Sequence, residues 1–199
     1  MIEVEKKFKV QPGDLGRLLR GATKMDEIEF TDVYYDTKAH DLTLKSIWLR
    51  SRENRFELKF PMGVMADKAR FTQYDEIEDD GLIAARLGIT PGEKPLVEAL
   101  ASRGYLPFAT IRTKRQKYKK EGLNIDVDEA DYGWSVVEIE AMVGDTKEVE
   151  EAYGRIIGLA VAAGIAVGKE PVRGKVIEYI RRNDPAHFAA LEKAWGIPL

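Results

Sequence analysis

The sequence contains no cysteine and only two histidines, His40 and His187. The first absence removes disulfides, thiolate nucleophiles and cysteine-ligated zinc together. The second leaves no basis for a histidine zinc centre. Long hydrophobic runs are missing as well. The longest, "IIGLAVAAGIAVG" (Ile156 to Gly168), spans about thirteen residues with several glycines, too short to cross a bilayer. The amino terminus lacks a basic start followed by an apolar stretch, so no secretory signal is visible. A soluble, cytoplasmic, monomeric protein with no membrane partner is the expectation. Charge of one sign is lacking too. The formal net charge is −3, so any anion site has to be a local cluster.

What is present is a 199-residue chain with 44% hydrophobic and 33% charged residues, enough for one core and one domain over residues 1–199. A first strand over about 2–9 leads into "QPGDLGRLLRG", where Leu15, Leu18 and Leu19 have helical spacing and Gly21 can end the helix. "DEIEFTDVYYDT" reads as a strand. "SIWLRSR" and "RFELKF" read as a hairpin joined around Glu53-Asn54 and closed by Pro61 and Gly63. "RFTQYDEIED" is another strand, followed by two short helices, "DGLIAARLG" and "KPLVEALASRG". "LPFATIRTKRQKYKKEG", "LNIDVDEAD" and "WSVVEIEAMV" are three consecutive strands, with turns at Gly122 and "DYG". Helices follow over 146–195, with Thr146 as the expected cap. The fold class is α+β: about eight mostly antiparallel strands over 1–143, able to close into a barrel, then a helical carboxyl end.

Strand side chains alternate faces, so charges two apart stand in a row. Glu3, Glu5 and Lys7 share a face, as do Arg50 and Arg52 with Trp48, Glu57 with Lys59, Asp126 with Asp128, and Glu138 with Glu140. Arg115 and Lys117 share theirs with Ile111. A half-buried sheet with solvated outer faces accounts for each strand alone. The recurrence of like pairs favours a barrel whose charged faces line a lumen and whose apolar faces lie under helices. Like charges about 4 Å apart repel by roughly 4 kcal/mol at an effective dielectric near 20. Enclosed acids therefore call for cations, and enclosed bases for an anion. Oxygen ligands suit Mg²⁺ or Mn²⁺, and arginine and lysine suit phosphate oxygens.

"EVEKKF" resembles the E-x-E-x-K signature of the CYTH superfamily, the triphosphate tunnel metalloenzymes. That superfamily includes thiamine triphosphatases, inorganic triphosphatases, class IV adenylate cyclases and fungal-type RNA triphosphatases. "YYDT", "WLRSRE", "ELKFP", "TKR", "DVDEADYG", "VEIEA" and "GKVIEYIRR" follow in the order of the animal-type thiamine triphosphatases. The likeness runs from Ile2 to about Leu191. It implies an eight-stranded antiparallel barrel around a charged tunnel. It also implies that Lys7, Arg50, Arg52, Lys59, Arg115 and Lys175 bind the triphosphate. Glu3, Glu5, Asp128, Glu138 and Glu140 would hold metal, with Asp126 beside them. Gln73 departs from the pattern, where relatives carry an acid.

Trp48 lies two residues from Arg50, and a tryptophan face holds an organic cation such as a thiazolium with about 0.5–2 kcal/mol. Trp48 is therefore a candidate for recognising thiamine triphosphate; core or rim filling is the plainer role for a strand tryptophan. An inorganic triphosphatase needs no such clamp and is the nearest alternative; a class IV adenylate cyclase needs a purine pocket that the sequence does not locate. A single-stranded nucleic-acid binder could use "RTKRQKYKK", against the acidic net charge and the lack of interleaved aromatics. "GIAVGKE" has the wrong spacing for a phosphate loop, with no Ser or Thr after Lys169. The expected reaction is Mg²⁺-dependent hydrolysis of the terminal phosphoanhydride. Lys59 and Tyr34 are the candidate catalytic groups. The base would be either a Tyr34 phenol lowered by Lys59 or a metal-bound hydroxide.

Overall fold

The computed structural model describes residues 2–61, 74–90, 94–168 and 172–196. Gly63, Lys169 and the departing position Gln73 lie outside them. Among the described residues no helix is long and apolar enough to cross a membrane. All eight antiparallel strands of the expected barrel fold are present: β1 (Ile2–Phe8), β2 (Thr23–Asp36), β3 (Trp48–Arg52), β4 (Arg55–Pro61), β5 (Tyr74–Ile77), β6 (Leu106–Lys120), β7 (Leu123–Ala130) and β8 (Trp134–Val143). They form one sheet in the order β1-β8-β7-β6-β2-β3-β4-β5. Helix α1 (Pro12–Leu18) follows β1; α2 (Asp80–Arg86) and α3 (Leu96–Ser102) follow β5. Among the described residues after Val143 the elements are helical, chiefly α4 (Val149–Ala162), α5 (Lys175–Asn183) and α6 (Pro185–Trp195).

Two hairpin turns fix the registers. Glu53-Asn54 joins β3 to β4 and Glu121-Gly122 joins β6 to β7, and all four residues have positive φ. That is the type I′ geometry whose twist matches paired strands. Arg52 consequently pairs Arg55, and Lys120 pairs Leu123. The cap before α4 is Asp145 rather than the expected Thr146. Its carboxylate accepts from Lys147 N at 2.9 Å, and Glu148 reaches back to the backbone of Asp145. A carboxylate one residue earlier meets the free amides of the first turn better than a threonine already inside it.

The chain organises into two compact units. The first comprises the described residues within 2–29 and 113–175. Here the apolar faces of β1, β7 and β8 lie under α4. Val4, Ile125 and Ile139 are fully buried against Ile156 and Ala160 of that helix. Val149, Ala152, Ile156 and Leu159 recur at helical spacing, so α4 presents one continuous stripe. The second unit comprises the described residues within 30–61, 74–112 and 176–196. Its core sets Leu49 and Leu58 of β3 and β4 against Ile83 of α2 and Leu100 of α3. In both units the apolar strand face is covered by helix and the charged face is the other one.

The second unit also gathers the two histidines. Their rings stack with centroids 3.6 Å apart and planes 7° apart. The His187 ring nitrogen Nε2 bonds the Thr43 hydroxyl at 2.8 Å, and Phe108 stands edge-on to the same ring. Asp36, beside them, is occupied by the backbone: it accepts from Thr37, Leu42 and Thr43 amides at 2.8 to 3.0 Å. Burial pushes His187 down to about 4, and His40 adds to that against weaker support from Asp184 and Asp36. The unfolded chain therefore holds the extra proton between about pH 6.5 and 4. Stability contributed by neutral His187 is lost as pH falls through that window, by up to about 3 kcal/mol. His187→Gln is expected to flatten the fall in melting temperature between pH 7 and 4. An unchanged slope would remove His187 as the cause.

Candidate active site

In the first unit, register places the charges in cross-strand rows. Glu5 pairs Glu140, and Lys7 pairs Glu138. Asp126 pairs Glu138, and Asn124 pairs Glu140. Arg115 pairs Asp128, and Lys117 pairs Asp126. All these side chains, with Glu3 opposite Met142, stand on the face away from α4. That face is buried: Asp126 and Asp128 are each 2% exposed, which rules out a solvated outer face.

Arg115 is the hub of this cluster. Its Nε and Nη2 donate to the two oxygens of Asp128 at 2.5 and 2.7 Å. Nη1 meets Asp126 at 2.6 Å, and Nη2 also donates to Glu138 at 3.0 Å. Lys7 bridges Glu5 at 2.5 Å and Glu138 at 3.1 Å. Burial alone would push Lys7 down; Glu138 and Glu5 outweigh it and hold the ammonium above its usual range. Burial likewise opposes a charged Glu138, yet Lys7 and Arg115 hold it well below the usual carboxylate range. Asp126 goes the other way. Burial pushes it up to about 6, against Arg115 and with the added repulsion of Glu140. Its buried Oδ1 has no hydrogen-bond partner.

Lys175 joins this cluster from the first position of α5. Its ammonium donates to Thr113 at 3.1 Å and lies 3.9 Å from Asp128. The Tyr132 hydroxyl donates to the Lys175 carbonyl and fixes the start of the helix. A Cβ at Gly174 would stand 3.2 Å from Lys7 Cε, so a side chain there would make that lysine shift by a few tenths of an ångström.

The second unit carries its own charged face. Tyr34, Arg50 and Glu57 are in cross-strand register, as are Asp32 with Arg52, and Trp48 with Lys59 and Glu76. Arg52 makes a two-point contact with Asp32 at 2.8 and 3.1 Å and lies over the Phe30 ring at 3.7 Å. Arg50 donates to Glu57 at 2.8 Å, with its Nε left without a hydrogen-bond partner. Lys59 is bound to Glu76. The anticipated lowering of Tyr34 is not found. Burial raises its phenol above the usual value, Asp32 adds to this, and Arg50 and Arg52 offset only part. Tyr34 is a neutral phenol here, not a phenolate.

Each unit thus brings its expected residues together: Glu5, Lys7, Arg115, Asp128, Glu138, Glu140 and Lys175 in one, Tyr34, Trp48, Arg50, Arg52 and Lys59 in the other. Asp32, Glu57 and Glu76 were not assigned a role from sequence, although Asp32 shares strand parity with Tyr34 and Glu57 with Lys59. The donor set of the first unit is carboxylate oxygen only, which suits a hard divalent cation. The orphaned, incompletely neutralised Asp126 oxygen fits that chemistry too. Among the described residues, the ligand trios gathered within 4.8 Å lie in the second unit: Asp36/His40/His187 and Glu57/Glu76/Glu78. Of the expected metal carboxylates, Glu5 and Glu138 are paired with Lys7, and Asp128 and Glu138 with Arg115, while Asn124 donates to Glu140 at 3.0 Å.

Comparison with known proteins adds sequence and fold relatives. The CYTH domain profile matches residues 1–163. The thiamine-triphosphatases of Homo sapiens and Macaca fascicularis are 33% and 32% identical over 209 aligned residues. Each alignment covers 96% of this chain and 89% of the relative. A solved protein of Pyrococcus horikoshii OT3 superposes with TM-score 0.63 at 19% identity, covering 90% of this chain and 98% of that one. A Hippeastrum adenylyl cyclase candidate, described as having a dominant triphosphatase activity, superposes with TM-score 0.56 at 18% identity. That match covers 100% of this chain and 97% of the other. At these identities the two structures speak for the fold.

Removal of Arg115 should expose how far the first cluster depends on it. Arg115→Met removes the guanidinium that binds Asp126, Asp128 and Glu138, a loss of about 3–5 kcal/mol at pH 8. Arg115 lowers the pKa of both Asp126 and Glu138, so its removal raises them and part of the loss should return at pH 5, where these acids take up protons more readily. Urea unfolding at the two pH values measures this, and an equal loss at both would refute the hub role.

Proposed function

The chain belongs to the CYTH domain family, and we propose that it hydrolyses the terminal phosphoanhydride of a triphosphate, with thiamine triphosphate as substrate and thiamine diphosphate and phosphate as products. The observation that carries this reading is the buried charged face of the first unit. Lys7, Arg115 and Lys175 stand there among Glu5, Asp126, Asp128, Glu138 and Glu140, although burial opposes the charges of Lys7, Arg115, Asp126 and Glu138. A fold gains nothing from such an array unless it is used. The identity to thiamine-triphosphatases supports the choice of organic group.

Phosphoryl transfer depends mainly on alignment and on neutralising charge spread over the transferred oxygens. Lys7, Arg115 and Lys175 take phosphate oxygens in exchange for their present carboxylate partners. Arg50, Arg52 and Lys59 of the second unit carry the same phosphate-binding chemistry. The Arg50 Nε, buried and without an acceptor, is already disposed to receive one. Tyr34, neutral and beside Arg50, offers its hydroxyl proton to a phosphate oxygen in this reading and does not accept the water's proton. Glu3, Glu5, Asp128, Glu138 and Glu140, with Asp126, are the residues that would hold Mg²⁺ or Mn²⁺. Such an ion supplies charge neutralisation on phosphate oxygens and lowers the pKa of water. With Lys7 and Arg115 turned to phosphate, Glu5, Asp126, Asp128 and Glu138 would lose those partners and would be left to hold a divalent ion.

One observation favours tripolyphosphate as the substrate: Trp48 is 8% exposed and packed against another ring, as a structural tryptophan would be. Kinetics separate the readings. Thiamine triphosphate should exceed tripolyphosphate and ATP in kcat/KM with Mg²⁺, and Trp48→Ala should weaken the first while sparing the second. Equal losses on both would take Trp48 out of recognition. Glu5→Gln and Glu140→Gln should each abolish Mg²⁺-dependent turnover without unfolding; full activity in both would end the metal assignment.

A further inference from the structure

We infer that Trp195 is a positioning residue for substrate recognition: it holds the Trp48 indole in place, and α6 thereby sets the preference for a substrate bearing an organic cation over bare polyphosphate. This rests on the reading that thiamine triphosphate is the substrate and that Trp48 meets its heterocycle. Trp195 stands perpendicular to Trp48, with ring centroids 6.1 Å apart and planes at 89°. On its own edge Trp48 donates its indole N–H to the Tyr74 hydroxyl at 3.4 Å, and Tyr74 is tied to Ser46 at 2.9 Å. An indole fixed at its nitrogen and against a perpendicular ring has little freedom to turn about its own axis. Trp195 meets Trp48 at right angles rather than ring on ring, and Trp48 is 8% exposed; cation binding needs a ring face.

Trp195 is itself anchored. Its indole N–H donates to the Thr43 carbonyl at 3.2 Å. Two helical turns earlier on α6, His187 bonds the hydroxyl of the same Thr43 at 2.8 Å. His187, Leu191 and Trp195 recur every four residues, so they form one stripe of the helix, and Leu191 is fully buried between the two contacts. Asp184 caps the helix through the His187 amide at 2.9 Å. The turn that receives α6 ends at Ser46, in left-handed conformation with φ 59°, two residues before Trp48. One short segment, Thr43 to Trp48, thus carries both the helix anchor and the recognition ring. Ring orientation fixed before binding removes an ordering cost from the complex.

The test uses the full chain in a Trp134→Phe background, with Trp195→Ala compared against Trp195→Phe, so that Trp48 is the one tryptophan left in each. In the Ala variant, acrylamide quenching of Trp48 should rise at least twofold over the Phe variant. The ratio of kcat/KM on thiamine triphosphate to that on tripolyphosphate should fall about tenfold, mostly through KM, with Trp195→Phe retaining it. Equal loss on both substrates, or an unchanged ratio, overturns the inference. A parent protein that shows no preference for thiamine triphosphate sinks the substrate reading instead. In that case thiamine diphosphate, titrated against Trp48 fluorescence, decides: weaker binding in Ala than in Phe sustains the positioning role, and equal binding overturns it. Should Trp195→Ala fail to fold, Trp195→Leu fills the space without a ring and carries the same comparison.

Discussion

Arg115 sits among three carboxylates in a place almost without water, and the first unit is organised around that fact. Its guanidinium binds Asp128 at two points and reaches Asp126 and Glu138 with its remaining donors. A lysine could not do this, because its point charge lacks the planar fork. The cluster is incompletely settled even so. Asp126 keeps an oxygen without a partner, and its pKa stands well above an ordinary aspartate. Buried ion arrays of this kind are weak contributors to stability, since desolvation offsets most of the attraction. In the proposed reaction these cations pass from carboxylate to phosphate, a use that stability alone does not supply.

The second unit repeats the principle with different members. Asp32 is fully buried under Arg52, and Glu57 neutralises Arg50. In both units the apolar face of each strand goes to a helix and the polar face to the site. This inverts the usual arrangement of an antiparallel sheet with one wet side. Helix α4 makes it possible in the first unit, and α2 and α3 in the second. Without those helices the hydrophobic alternate positions would be left in water.

Much of this was legible in sequence because strand parity is rigid. Once Glu5 is placed on a face, Glu3 and Lys7 follow, and the hairpin turns at Glu53-Asn54 and Glu121-Gly122 carry the parity into the next strand. The shared faces of Arg50 with Arg52, Asp126 with Asp128 and Glu138 with Glu140 were therefore legible by counting, whereas the roles expected of them came from the family resemblance. Tyr34 shows the limit of counting. Its place on the charged face was correct, but its proton affinity was not, because burial outweighs the neighbouring cations. Asp32 was passed over for a similar reason. Nothing in "FTDVYYDT" says which of two aspartates will be buried beneath an arginine from another strand and which will staple a turn.

The sequence by itself determined the elements, the alternation of polar and apolar faces and the type of chemistry those faces offer. These depend on periods of two and about four residues, which are local. The tertiary structure alone decided the pairings: that His40 stacks on His187 across about 150 residues of chain, that Trp195 stands against Trp48, that Lys175 reaches Asp128. Such contacts follow from how helices dock on a sheet. They carry no local signal, because each partner's residue type is equally suited to many other neighbours.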